Sequence, residues 1–520
     1  MKSGLSVSGT QKEAPKCIKN YKNDIHFFLL TSFLFLLSSC ASSFKNYNPD
    51  KKFSKQELQS DYSLLRNILE QKHPSLYWYT PKDSMDFYFD SLYHAIPDSM
   101  TELQFGWNII APLTQKAHCG HTSFSMSKNW GKYLRDKTIP SFPLFLKVWG
   151  DTMVVTANLN KKDSVLKAGM LITSVNNLSA KQITNKIFQY LPEDGYAENV
   201  NYLRISSNFP YFHRNVFGLY KNYKVGYIDS AGNEKTTLVS MWAPQKDTTK
   251  KKEIKPLVKI SKKQLKKNRI ENARSLSIDS STAIATLNLN TFSNGGGRHL
   301  RKFFKHTFKT IKEQGIKNII LDLRSNGGGD ITISSLLTKY LRHTPFKVAD
   351  SAYSIAKNFS PYTGKIKSGF WSNLGLIFIS KKRNDGLYHF GYWERHLFTP
   401  KTKNHFDGKL YVLINGPTFS ASTLFCNAVK GQSNVTIVGE EAGGGWHGNN
   451  GIMIPDITLP VTKLRVRLPF FRIVQYNHVP KDGRGVVPDI YIWPTVEAVR
   501  KGEDRKMMAV KEMIKENMKK

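Results

Sequence analysis

The stretch Ile319-Ile320-Leu321-Asp322-Leu323-Arg324-Ser325-Asn326-Gly327-Gly328-Gly329-Asp330 joins an apolar run to three consecutive glycines. The run is too short for a typical helix and reads as a buried strand. Glycines without a Cβ let backbone N–H groups approach a ligand closely. Donors of that kind make an oxyanion hole; a plain glycine turn is the alternative. Outward from this point, Ala283 to Leu289 reads as a strand, and Leu300, Phe303, Phe304, Phe308 and Ile311 recur at helical spacing. Ser334 to Leu341 reads as a helix, Leu410 to Ile414 as a strand, Ala421 to Val429 as a helix and Val435 to Gly439 as a strand. Strands alternating with helices predict an α/β core on a mainly parallel sheet.

Two further loops hold polar residues that packing does not explain. In Ile414-Asn415-Gly416-Pro417-Thr418-Phe419-Ser420-Ala421 an apolar strand meets a tight turn and Ser420 stands at a helix start. There a hydroxyl and the next N–H lie in the field of a helix N-terminus; an N-cap serine is the commoner role for such a residue. In Ala117-His118-Cys119-Gly120-His121-Thr122 two histidines flank a cysteine and a glycine. No H-E-x-x-H or C-x-x-C partner accompanies them, so no metal is expected at this loop. Glu440 and Glu441 either line the cleft or simply end a strand.

Together these loops resemble the S41 serine peptidases, the tail-specific (C-terminal processing) proteases and the tricorn core. Asp322 to Gly329 matches the family's strand-Asn-Gly-Gly motif, and Thr418 to Ala421 its Thr-x-Ser-Ala turn. Cys119 to Thr122 matches its x-Gly-His-Thr segment, and Gly485-Val486-Val487-Pro488-Asp489 its closing motif. The resemblance implies an N-terminal helical domain, a PDZ-like β-rich domain and a crotonase/ClpP-like α/β catalytic core. It implies Ser420 as nucleophile, with the Ala421 and Gly328 amides as oxyanion hole. Tail-specific relatives take a lysine base some two dozen residues after the serine, but Gly445 stands there. The tricorn-like branch therefore fits better, with His121 as base and Asp482 as the acid that orients it. No cofactor is implied. The substrate is a peptide or protein, including unfolded or C-terminal segments; a non-catalytic peptide- or lipophile-binding protein on the same fold is the alternative.

Around the core, residues 52–118 carry apolar residues at helical spacing, with Pro74 and Pro81 as breaks. Residues 138–242 shift to short alternating runs, and Val165 to Asn177 resembles the core strand of a PDZ fold. Such a domain offers an edge for an extended peptide. The expected layout is a signal segment over 1–39, helical domain 40–136, PDZ-like domain 137–245, basic linker 246–272, catalytic core 273–500 and a charged C-terminal helix over 501–520.

Phe27 to Leu37 is apolar and preceded by Lys16, Lys19 and Lys22. It is short for a membrane span and has the flanks of a secretory signal. Leu37-Ser38-Ser39-Cys40 resembles a bacterial lipobox, which implies diacylation of Cys40 and a lipid anchor in the bacterial cell envelope, on the periplasmic or the outer face. In an oxidising compartment Cys119 and Cys426 are one candidate disulfide pair. The formal charge is +36, from 76 Lys+Arg against 40 Asp+Glu. A balance so basic raises nucleic-acid binding. The lysines are scattered, however, and no nucleic-acid motif accompanies them, so no such partner is expected.

Overall fold

The computed structural model describes residues 47–135, 137–244, 260–367, 375, 376 and 378–519. The signal segment and Cys40 lie outside the described residues. So does most of the basic stretch, whose later part is described from Ile260.

A six-stranded sheet lies at the centre, with strands β1 (Arg274–Asp279), β2 (Ile284–Leu289), β3 (Asn318–Asp322), β4 (Lys409–Ile414), β5 (Val435–Gly439) and β6 (Ile490–Tyr491) in that spatial order. β1 and β2 are antiparallel; every later neighbouring pair is parallel. The register aligns Leu287, Leu321, Val412 and Ile437 in one row across four strands. Side chains alternate along a strand, so this row faces helices α1 (Leu300–Glu313), α2 (Ile331–Leu341) and α3 (Ala421–Val429). The opposite row, with Ile320, Tyr411 and Leu413, packs on Val510 and Ile514 of α4 (Arg505–Lys519). Each such side chain taken fully out of water contributes about 1.5–3 kcal/mol, which makes this three-layer stack a rigid base for the loops at its edge.

The N-terminal helices do not stand apart from this core. Ser54 and Glu57 form a capping box on the helix Lys55–Lys72. That helix buries Leu58, Tyr62 and Leu65 in one cluster with Ile457, Leu464 and Phe470. The buried Asp61 carboxylate accepts the N–H groups of Val461 (3.0 Å) and Thr462 (2.8 Å). Phe124–Ser125 pairs antiparallel with Arg465–Arg467. The first and last parts of the described chain thus share one hydrophobic interior.

Residues 142–240 fold around their own core. Strands Leu144–Trp149, Thr152–Asn158, Leu171–Val175, Asn222–Ile228 and Glu234–Ser240 form an antiparallel sheet. Helices Ala180–Phe188 and Asn199–Ser207 bury Ile183, Ile187 and Ile205 against it. A second point departs from the expected layout: from Lys262 the basic stretch is not a linker but a helix, Lys262–Ala273. Ser261 caps it by accepting the Gln264 N–H (3.1 Å). Lys, Arg and Gln are good helix formers, so a polar, solvent-facing segment still winds. No helix among the described residues is long and apolar enough to cross a membrane.

Candidate active site

Ser420 sits where β4 turns into α3, at φ +56° and ψ −120°. A non-glycine residue held there stores about 1–3 kcal/mol of strain, which the surroundings must fix. They do so through Thr418, whose hydroxyl donates to Leu323 O (2.9 Å) and accepts from Asn415 N (3.0 Å). Ser420 makes no side-chain cap bond to its own helix. The N-cap role is therefore unused and the hydroxyl is left to the cleft.

Gly328 lies against this turn at φ +95°. A Cβ there would come within 2.7 Å of Phe419 O and 2.8 Å of Ser420 Cβ, so no side chain fits. Ala421 opens α3 and its N–H has no intrahelical acceptor. It is free to meet an oxyanion. The Gly328 amide is not equally free, because it donates to Asn326 Oδ1 (2.9 Å).

His121 reaches the same cleft from the far end of the sequence. The cleft is about 670 Å³ and is lined by His121, Ser420, the Gly327–Gly329 loop, Arg204 and Arg467. Phe419 bridges the two loops: its ring centroid is 4.8 Å from that of His121. A Cβ on Gly120 would meet Phe419 Cζ at 2.5 Å. Burial pushes the His121 imidazole down to about 3, with Arg467 and Arg204 adding to the effect. The ring is therefore neutral at neutral pH, which is the form a base needs. Its Nδ1 is buried without a partner among the described residues. The Ser420 hydroxyl and the imidazole share the cleft without a hydrogen bond; such contacts commonly close only around substrate.

Asp482 does not join them. It is exposed and accepts the Arg484 N–H (2.9 Å). The 194–196 turn stands between, with Gly195 N donating to His118 O (2.9 Å) and Tyr196 N to Gly483 O (2.8 Å). The carboxylate that braces the histidine loop is Asp194, which sequence reasoning missed. Its Oδ1 accepts Gly120 N–H (2.8 Å) and its Oδ2 accepts Gly445 N–H (3.2 Å). One buried side chain thus links the residue before His121 to the loop packed on Ser420. Burial raises its carboxyl to about 6, with those two N–H groups opposing. Pro192-Glu193-Asp194-Gly195 carries only an ordinary turn signal, so nothing in the chain marks it.

The place of the tail-specific lysine has no room for one. A Cβ on Gly445 would strike Gly448 O at 2.4 Å. Lys430 pairs with Asp489, and Lys463 donates to Pro460 O. His118 is a brace, its Nδ1 lying 3.0 Å from Glu193 Oε1 and 2.9 Å from Gly195 O. Glu440 pairs with Lys506 of α4, and Glu441 accepts the Gly485 N–H (2.7 Å), so both serve the scaffold. Cys119 and Cys426 are buried free thiols, and Cys119 Sγ accepts from Asn450 Nδ2 (2.9 Å).

Residues 283–492 match the profile described as Peptidase family S41. The chain therefore carries a domain of that family and is, by class, a serine-type peptidase. Solved structures that share its overall fold include the following two. Mature CPAF matches with a TM-score of 0.57 at 13% identity, over 86% of this chain and 94% of its own. Mature CPAF complexed with lactacystin matches with a TM-score of 0.56 at 13% identity, over 89% of this chain and 98% of its own. No curated protein sequence matches.

Proposed function

We propose that the protein is a lipid-anchored serine endopeptidase of the bacterial cell envelope, with Ser420 as nucleophile and His121 as base. The observation that carries the catalytic reading is the convergence on one cleft of an uncapped, strained serine and a neutral buried imidazole, with Ala421 opening the helix behind the serine; the anchor rests on the lipobox resemblance of Leu37 to Cys40. In the proposed reaction His121 takes the Ser420 proton as Oγ attacks the peptide carbonyl. The developing oxyanion is met by the Ala421 N–H and the positive end of α3. The acyl-enzyme then forms as the amine leaves with a proton from the imidazolium, and water completes hydrolysis. The pair acts without Asp482, whose carboxylate faces solvent.

In this scheme the 142–240 unit is a PDZ-like substrate-capture domain beside a crotonase/ClpP-like core. Ser206 already covers one sheet edge by bonding to Val148 N (2.8 Å). Glu234–Ser240 is the opposite edge, which suits an added peptide strand. A fluorophosphonate probe tests the chemistry. It should label the mature protein at Ser420 and fail on Ser420→Ala and His121→Ala; equal labelling of all three proteins would end the proposal.

A further inference from the structure

We propose that His343, His405 and Asp407 form a divalent transition-metal site, suited to zinc, at the end of the central sheet opposite the cleft. One nitrogen of each ring and one carboxylate oxygen all lie within 4.8 Å of one another. His405 Nε2 is 3.5 Å from Asp407 Oδ1. The two imidazoles meet edge to face, with centroids 5.3 Å apart. Ligands on a tetrahedral zinc with bonds of about 2.0–2.1 Å lie roughly 3.3 Å apart, so small side-chain rotations of the exposed members close the set.

The backbone that carries the site is fixed without any ion. Phe406 is buried in the main core, so His405 and Asp407, two residues apart on extended chain, project together to the outer side. Phe406 N donates to Tyr340 O (3.0 Å) and Lys401 N to Lys339 O (2.7 Å), tying this strap to the end of α2. His343 follows that helix directly, and its N–H donates to Gln432 Oε1 (2.9 Å). Asn434 Nδ2 donates to Gly408 O (2.6 Å), holding the strap to the same corner. The His405 ring also meets the Lys339 backbone, while its Nε2 is the nitrogen on the Asp407 side.

Two imidazoles and one carboxylate make a borderline nitrogen–oxygen set. It favours zinc-like ions over magnesium or calcium, which take oxygen ligands. The site lies at the starts of β3 and β4, where Lys409 N bonds Lys317 O. Ser420 follows the end of β4, a strand length of about 20 Å away. An ion here clips α2 to the strap before β4 and takes no part in hydrolysis. Because it binds the folded chain, it raises thermal stability by mass action.

The test uses untagged, chelator-dialysed protein titrated with zinc chloride, followed by calorimetry and by melting temperature. The expected result is one ion per chain whose affinity falls at least about tenfold in His343→Ala, by loss of a ligand, with a zinc-dependent rise in Tm that the variant lacks. His343 is exposed, so the metal-free variant should melt with the wild type. Asp407→Asn, also at an exposed position, supplies a second variant expected to weaken binding. Equal zinc affinity in the wild type and both variants, or a wild-type Tm indifferent to zinc, overturns the proposal; an equal response to magnesium would do the same.

Discussion

Replacing Asp194 by asparagine should change how stability depends on pH in a way that can be calculated. The carboxyl has a folded value of about 6 against an ordinary 3.8. A folded value above the unfolded one means that the native state holds the proton more tightly. This group's contribution is therefore most favourable below pH 4 and is lost as pH rises through 6. At 1.36 kcal/mol per pH unit of difference, the loss is about 3 kcal/mol. Asparagine does not titrate, so it removes that slope. The stability of wild type relative to Asp194→Asn should accordingly fall by about 2 kcal/mol between pH 4 and pH 7, the rest of the loss lying below pH 4. Urea denaturation of both proteins at four pH values gives the difference directly. Activity supplies a second readout, because an amide oxygen can accept only one of the two N–H groups, while its NH₂ confronts the other. With the histidine loop less firmly tied, kcat should fall more than KM rises. Parallel stability curves across the whole window would refute the assignment of this buried proton to Asp194.

Other outcomes follow from the same geometry. Ser420→Ala and His121→Ala should each cost at least about 10³-fold in kcat/KM, whereas Lys430→Ala and Lys463→Ala should leave hydrolysis nearly unchanged; steady-state assays on a peptide library decide. Since burial holds His121 near 3, its base form persists in mild acid, and the limb of the kcat/KM profile that it sets should fall well below 6.5; a limb at the ordinary imidazole value would contradict this. Gly120→Ala forces a methyl group to within 2.5 Å of Phe419 Cζ and should cost roughly 1–3 kcal/mol of stability, along with activity, as read by Tm and turnover. Arg204 and Arg467 give the cleft positive character, so Arg467→Glu should selectively weaken cleavage of peptides with acidic residues near the scissile bond. Cys40→Ser should move the protein from membrane to soluble fractions, measured by immunoblot.

The parts legible in the chain were those written locally. β3 with its glycines, β4 with the Ser420 turn, and α3 each announce themselves by apolar runs broken at a turn, and the structure forms all three. What stayed hidden depends on residues far apart in sequence. Phe124 meets Val466 across a strand pair, and Asp61 serves the 461–462 turn, contacts that no periodicity encodes. Motif position alone points to Asp482, yet the 194–196 turn intervenes. Asp194 was invisible for the converse reason: its importance comes from two amide partners, neither of them adjacent in sequence. The basic segment misled because charge density speaks of solvent exposure and says nothing against helix.

The strand pairing between Phe124–Ser125 and Arg465–Arg467 also bears on biosynthesis. The loop that carries His121 is tied through Asp194 to Gly445, and leans on Asn450 and on that pairing, all of them contributed after Ser420 has been made. A ribosome part-way through the message therefore exposes Ser420 before the loop that carries His121 has been braced. On the mechanism proposed above, peptide-bond cleavage becomes available only once the last sixth of the polypeptide has folded back onto the first quarter. In the proposed mechanism, the order of synthesis thus keeps the unfinished chain from cleaving peptides.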